Sequence, residues 1–228
     1  MANHYFSALF FGLLLVSSNV RAQNTVSPKT AEEEFSDPRA VFVLESTQKK
    51  VSKWQNVQVD FTSITIIPDQ PQQVQKGKLI QQGAKYRLEI PDRTIVNDGQ
   101  ALWTYLPADK EVTIRDNEAE GEYNTPLDWL KIYEKKDYYF ALTNQVKENG
   151  VLLDQIEFKP RDRKAEYSKV RLSIDPTNTP KKIEIFFKDG LRMILQLDKL
   201  NSNAVIDPAA FIFDAKKYPG VHVEDLRF

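Results

Sequence analysis

The sequence predicts a mainly β fold of α+β type: an antiparallel sheet with one covered face, accompanied by two or three helical pieces. Three observations lead there. From Val57 onward apolar residues recur at every second position, the period of strands buried on one side. Asp98-Gly99, Asn149-Gly150 and Asp189-Gly190 each separate two such runs, and pairs of this kind favour the type I′ turns of tight hairpins. Helical periodicity is confined to a stretch before the first strand and another between about 116 and 137.

Taken in order, the chain opens on a short apolar run, Phe10-Phe11-Gly12-Leu13-Leu14-Leu15-Val16, followed by Val20-Arg21-Ala22. This reads as a secretory signal peptide over residues 1–22, cleaved after Ala22. The run is too short to cross a bilayer. Residues 23–36 are polar and are expected to form a flexible lead, and 37–228 a single domain. Asp37-Pro38 has the form of a helix start, an Asp cap followed by Pro in the first turn. Ala40, Val41, Leu44, Val51 and Trp54 follow at helical spacing, predicting an amphipathic helix over about 38–53.

Val57, Val59 and Phe61 then share one face of a strand, and Leu79 and Gln81 one face of the next. Tyr86, Leu88 and Ile90 alternate with Arg87 and Glu89, which turns Arg87 toward solvent. Trp103 and Tyr105 alternate with Leu102 and Thr104, and Val112 and Ile114 with Thr113. After Thr125-Pro126, Leu127, Leu130 and Tyr133 return to helical spacing with Trp129 beside them, predicting a short amphipathic helix. The two-residue period resumes over about 138–147, 151–159, 167–175, 181–188 and 191–199, with a last short strand at Phe211-Ile212-Phe213. The total is about ten or eleven strands.

The residues that carry chemistry are scarce. Cysteine is absent, which excludes disulfides, thiol catalysis and Cys-type zinc sites. Gln23, not Cys, follows the expected cleavage site, so the chain is not expected to be lipid-anchored itself. The histidines are His4, within the expected signal, and His222, near the end. Neither a His-based triad nor a His metal cluster is expected. Asp and Glu mostly alternate with apolar residues, as on a solvated strand face. Basic and acidic residues nearly balance, 31 against 32, which gives no footprint for nucleic acid. We therefore expect no enzyme, no cofactor and no nucleic-acid partner. The aromatic residues Phe61, Tyr86, Trp103 and Tyr105 fill a core, line a cavity or form a sugar-binding platform; periodicity alone does not separate these.

Four stretches stand out by their order and spacing: Val57-Gln58-Val59-Asp60-Phe61; Gly77-Lys78-Leu79-Ile80 with Lys85-Tyr86-Arg87-Leu88-Glu89; the segment from Ile95 to Pro107, with Asp98-Gly99 and Leu102-Trp103 inside it; and Asp207-Pro208-Ala209-Ala210-Phe211-Ile212-Phe213 with Pro219-Gly220-Val221. In that order they resemble the LolA-type outer-membrane lipoprotein carriers. The resemblance spans about Ala40 to Asp225. It implies an unclosed antiparallel half-barrel with a lid of short helices over an apolar cavity.

The resemblance also implies a function: a periplasmic carrier that shelters the acyl chains of lipoproteins between the inner and outer membranes. Its partners would be lipoproteins bound through their acyl chains, an inner-membrane ABC-type lipoprotein-releasing transporter and an outer-membrane acceptor, and it would act as a monomer. The alternative is a carrier or sensor of other envelope lipids or glycolipids. By period-two phase the cavity lining is expected to be Phe61, Leu79, Tyr86, Leu88, Trp103 and Tyr105 from the sheet, with Leu44, Leu127 and Leu130 from the helices. One departure stands out. The family carries an Arg-Pro pair at the turn between its second and third strands, whose Arg helps hold the lid closed. Here that turn reads Gln81-Gln82-Gly83-Ala84-Lys85.

Overall fold

A computed structural model describes residues 37–117, 125–134 and 137–227, without the side chains of 133 and 134. The expected signal peptide and lead, 1–22 and 23–36, lie outside the described residues. Helix α1 (Pro38–Val51) leads into β1 (Asn56–Ile66), β2 (Gln73–Gln82), β3 (Lys85–Ile90), β4 (Arg93–Asn97), β5 (Ala101–Leu106) and β6 (Glu111–Asp116). A 3₁₀ helix, Asp128–Glu134, follows. Then come β7 (Tyr138–Glu148), β8 (Val151–Pro160), β9 (Tyr167–Ile174), β10 (Pro180–Phe187) and β11 (Arg192–Asn201). Two 3₁₀ turns, Pro208–Phe211 and Ala215–Lys217, precede β12 (His222–Asp225).

The strands form one 12-stranded sheet in the order β12-β6-β5-β4-β3-β2-β1-β11-β10-β9-β8-β7. Two meanders meet where β1 pairs with both β2 and β11. β12 and β7 are left as edges, so the sheet is open. A twisted sheet of this many strands curls on itself, and the curl gives it an inner face, the one α1 covers.

Turn chemistry follows the sequence with one refinement. Asn149 and Gly150 both have positive φ, 48° and 81°, the two-residue type I′ pattern. At the other two expected type I′ turns only the glycine is left-handed, Gly99 at 93° and Gly190 at 91°. Gly190 N–H donates to Phe187 O and Phe187 N–H to Leu191 O, a type I turn completed by a left-handed Gly in a three-residue loop. Asn97 pairs with Leu102, so that connection too is longer than two residues.

The expected strand at Phe211-Ile212-Phe213 is not a strand. Asp207 caps a 3₁₀ turn through Ala209 N–H, and Phe211 and Phe213 are buried individually. The last strand is instead β12, paired parallel with β6. All four of its residues are exposed, so it carries no alternation for a sequence reading to find. The segment expected as an amphipathic helix after Pro126 is 3₁₀, opened by Asp128, whose carboxylate accepts from Thr125 N–H and Oγ1.

Candidate functional site

The inner face is built by the phase of β1. Val57, Val59 and Phe61 are buried alternately, and cross-strand register carries that phase outward. Val59 lies opposite Leu79, Leu79 opposite Leu88, Leu88 opposite Ile95, and Tyr86 opposite Asn97, which faces Leu102. On the other side, Ser63 leads to Leu195, then Ile183, Leu172, Ile156 and Leu142. α1 lays Ala40, Leu44 and Thr47 on this surface. The 3₁₀ segment brings Leu127, Leu130 and Ile132, and its Trp129 ring meets Tyr167 edge-on. Seven of the nine expected lining residues, Phe61, Leu79, Tyr86, Leu88, Leu44, Leu127 and Leu130, thus join one buried hydrophobic cluster.

Trp103 and Tyr105 do not join it, which corrects the expected lining. Trp103 lies opposite Val96 and Ile114, and Tyr105 opposite Thr94 and Val112, all on the outer face. There the C-terminal segment straps across the sheet. Phe213 stacks on Trp103 at 5.7 Å and on Tyr218 at 5.1 Å, and Tyr218 meets Tyr105 at 4.4 Å. Val96, Ala101, Val112 and Ile114 complete this second core. Arg87 is on the same outer face, its side chain 19% exposed and paired with Glu89 at 2.6 Å; it is not simply turned to solvent.

α1 is fastened to the sheet at both ends. At its start the Asp37 carboxylate caps Arg39 N–H at 2.9 Å and also accepts Leu142 N–H of edge strand β7 at 3.2 Å. A register shift between Leu142 and Asn144 interrupts β7 beside this contact. At its end Lys50 Nζ donates to Thr179 Oγ1 at 2.6 Å and to Thr177 O at 2.8 Å, in the turn between β9 and β10. Asp175 braces that turn, accepting from Thr177 N–H and Oγ1 and from Thr179 N–H. Burial pushes its pKa up, but these hydrogen bonds and Lys181 outweigh it and hold the carboxyl below its ordinary value. The clasp at Lys50 had no signal in the sequence, because a Lys near a helix end is ordinary.

Three further features bear on what the inner face can hold. Among the described residues, buried Thr47 Oγ1 and Gln81 Oε1 have no hydrogen-bond partner. Among the described residues no cluster of three His, Cys, Asp or Glu is placed to hold a metal. A crevice of about 290 Å³ opens between α1 and the β7–β8 edge, lined by Pro38, Arg39, Phe42, Val43, Leu142 and Asp154. The arrangement offers apolar surface under a fastened helix.

Residues 52–214 match the family described as outer membrane lipoprotein carrier protein LolA. The chain belongs to the LolA family. The matched region runs from the end of α1 through all the strands from β1 to β11 and into the C-terminal strap. An outer-membrane lipoprotein carrier protein of Glaesserella parasuis serovar 5 (strain SH0165) is 27% identical over 210 residues, 85% of this chain and 88% of that one. One of Edwardsiella ictaluri (strain 93-146) is 31% identical over 140 residues, 60% of this chain and 63% of that one. The crystal structure of an uncharacterised conserved protein from Thermus thermophilus superposes with a TM-score of 0.53 at 11% identity, covering 83% of this chain and 99% of that one; this likeness shows the fold alone. The LolA-family fold here carries the open sheet and its covering helix, while the turn Arg expected of the family is replaced by the Gly83-Ala84 hairpin between β2 and β3.

Proposed function

We propose that this chain is a periplasmic carrier, exported with cleavage after Ala22, that binds the acyl chains of lipoproteins on its inner face. The observation that carries the reading is the single apolar cluster that α1 and the 3₁₀ helix cover, in a chain of the LolA family. Phe61, Leu79, Tyr86, Leu88, Leu44, Leu127 and Leu130 are the proposed contacts. Lipoproteins would come from an inner-membrane ABC-type releasing transporter and pass to an outer-membrane acceptor.

The physics of the task fits an apolar face without chemistry. Each buried CH₂ contributes roughly 0.8 kcal/mol, so acyl chains do not cross water uncovered. The same figure makes release demanding. It requires an acceptor that holds the chains more strongly, or a shift of the cover that exposes the carrier's own apolar residues. Closed, those residues pack on each other; loaded, they pack on the ligand, so the two states exchange one apolar contact for another.

The test is purification of the chain from the periplasm, followed by mass spectrometry of what accompanies it. Acylated lipoproteins are the expected cargo. A preparation carrying glycolipid or phospholipid and no lipoprotein would overturn the reading.

A further inference from the structure

We propose that the crevice between α1 and the β7–β8 edge is the port through which a single alkyl chain passes to the covered inner face. The inference rests on the carrier reading and names where its ligand goes in. Two of the lining residues, Val43 and Leu142, are partly buried and pack directly against the main hydrophobic cluster. Its floor is thus continuous with the surface that Leu44, Tyr86 and Leu88 belong to. At its lip Phe42 is 71% exposed, a large apolar ring held in water where apolar surface leads inward beside the helix.

The dimensions select the occupant. About 290 Å³ falls just below the roughly 300–1,000 Å³ of small-molecule sites, which suits a narrow flexible chain rather than a bulky headgroup. A protein partner would need on the order of 1,000 Å² of interface, far more than this slot offers. The polar groups of the lining, the Arg39 guanidinium and the Asp154 carboxylate, suit the end of the ligand that stays wet. Asp154 is already engaged by Gln145 at 2.6 Å. Arg39 supplies N–H donors for the ester and amide carbonyls that head an acylated cysteine.

The fastenings of α1 agree with this placement. Among the described residues, the end over the crevice is hydrogen-bonded to the sheet through Asp37 and Leu142 N–H, beside an interrupted stretch of β7. The far end is held by Lys50 to two residues of a braced turn. Lifting the first end while pivoting on the second widens the crevice and leaves the clasp intact.

The absence of cysteine makes the test clean. Phe42→Cys and Val205→Cys, each at an exposed position, are labelled with a polarity-sensitive fluorophore, and a synthetic triacylated cysteinyl peptide is added. The label at 42 is expected to shift to the blue during uptake and the label at 205 to stay unchanged. In the unlabelled chain, Phe42→Ser is expected to slow uptake about tenfold, the kinetic equivalent of about 1.4 kcal/mol, with the final occupancy unchanged. A silent label at 42 while the chain takes up the peptide overturns the port and leaves the carrier reading standing. Reduced final occupancy at an unchanged rate overturns it too, by making Phe42 part of the resident site. Failure of the wild-type chain to bind the peptide overturns the port together with the carrier reading.

Discussion

Gly77 sits opposite Phe61 in the β1–β2 pair, and its missing side chain is what lets that ring approach its backbone. A Cβ built there would stand 2.7 Å from Phe61 Cε2 and 2.7 Å from Ile90 Cγ2, and closer still to Phe61 Cζ. Ordinary contacts of this kind are about 3.5–4.0 Å, so the ring must move by an ångström or more. Gly77 is not among the glycines with positive φ, so backbone strain plays no part and Gly77→Ala isolates the packing effect. Phe61 is 3% exposed and packs within the main hydrophobic cluster. Overpacking of this kind costs about 1–3 kcal/mol, offset in part because Ala suits a strand better than Gly. For a domain of this size that lowers Tm by roughly 2–10 °C. Thermal and urea unfolding followed by circular dichroism would measure it. The same substitution in a Phe61→Leu background should cost less than half as much, since the obstructing ring is gone. A Gly77→Ala chain as stable as the parent, or an equal cost in both backgrounds, would refute the placement of Phe61 on the inner face.

Other outcomes follow from the same contacts. Thr47 is fully buried on α1 with an unpartnered hydroxyl, so Thr47→Val should raise stability by about 1 kcal/mol, read from the urea midpoint. Lys50→Met removes the clasp to Thr177 and Thr179; it should destabilise by about 1–2 kcal/mol and speed amide exchange across 38–51 more than in β1 or β11. Asp175 has a pKa held below 3.8 in the folded chain. Its stabilisation is therefore complete above that pH and is lost as pH falls through the lowered value. The stability gap between the parent and Asp175→Asn should close below about pH 3.8, and a gap that widens on acidification would contradict the assignment.

How far the sequence is legible depends on whether an element shows one face or two. β1 and β3 alternate cleanly, so the phase of Phe61, Tyr86 and Leu88 follows from the alternation alone. β5 reads Ala-Leu-Trp-Thr-Tyr-Leu, apolar on both faces, because the C-terminal strap buries its outer side while the main core buries its inner side. Alternation within such a strand does not say which set points in, and the larger aromatic residues face the strap. Only the register, Asn97 opposite Leu102, decides it. β12 escapes a sequence reading for the opposite reason: it buries neither face. The fastening of α1 depends on pairs about a hundred residues apart, Asp37 with Leu142 and Lys50 with Thr179, and no local pattern encodes those. The cap at Asp37, by contrast, is legible as an Asp-Pro pair and forms as a local hydrogen bond; Asp207-Pro208 makes the same cap, where a strand was expected to follow.

The central claim, that the inner face carries acyl chains, is tested most directly by transfer of a labelled lipoprotein from inner-membrane vesicles to the soluble fraction by the purified chain. The parent is expected to transfer the label and Leu88→Asp to lose that transfer, because an unpaired carboxylate at a buried apolar position is costly. Leu88→Ala keeps the face apolar and should still transfer, and far-ultraviolet circular dichroism confirms that each variant is folded. Label that stays in the vesicle pellet with the parent chain and the releasing transporter present, or full transfer by a folded Leu88→Asp, would contradict the account.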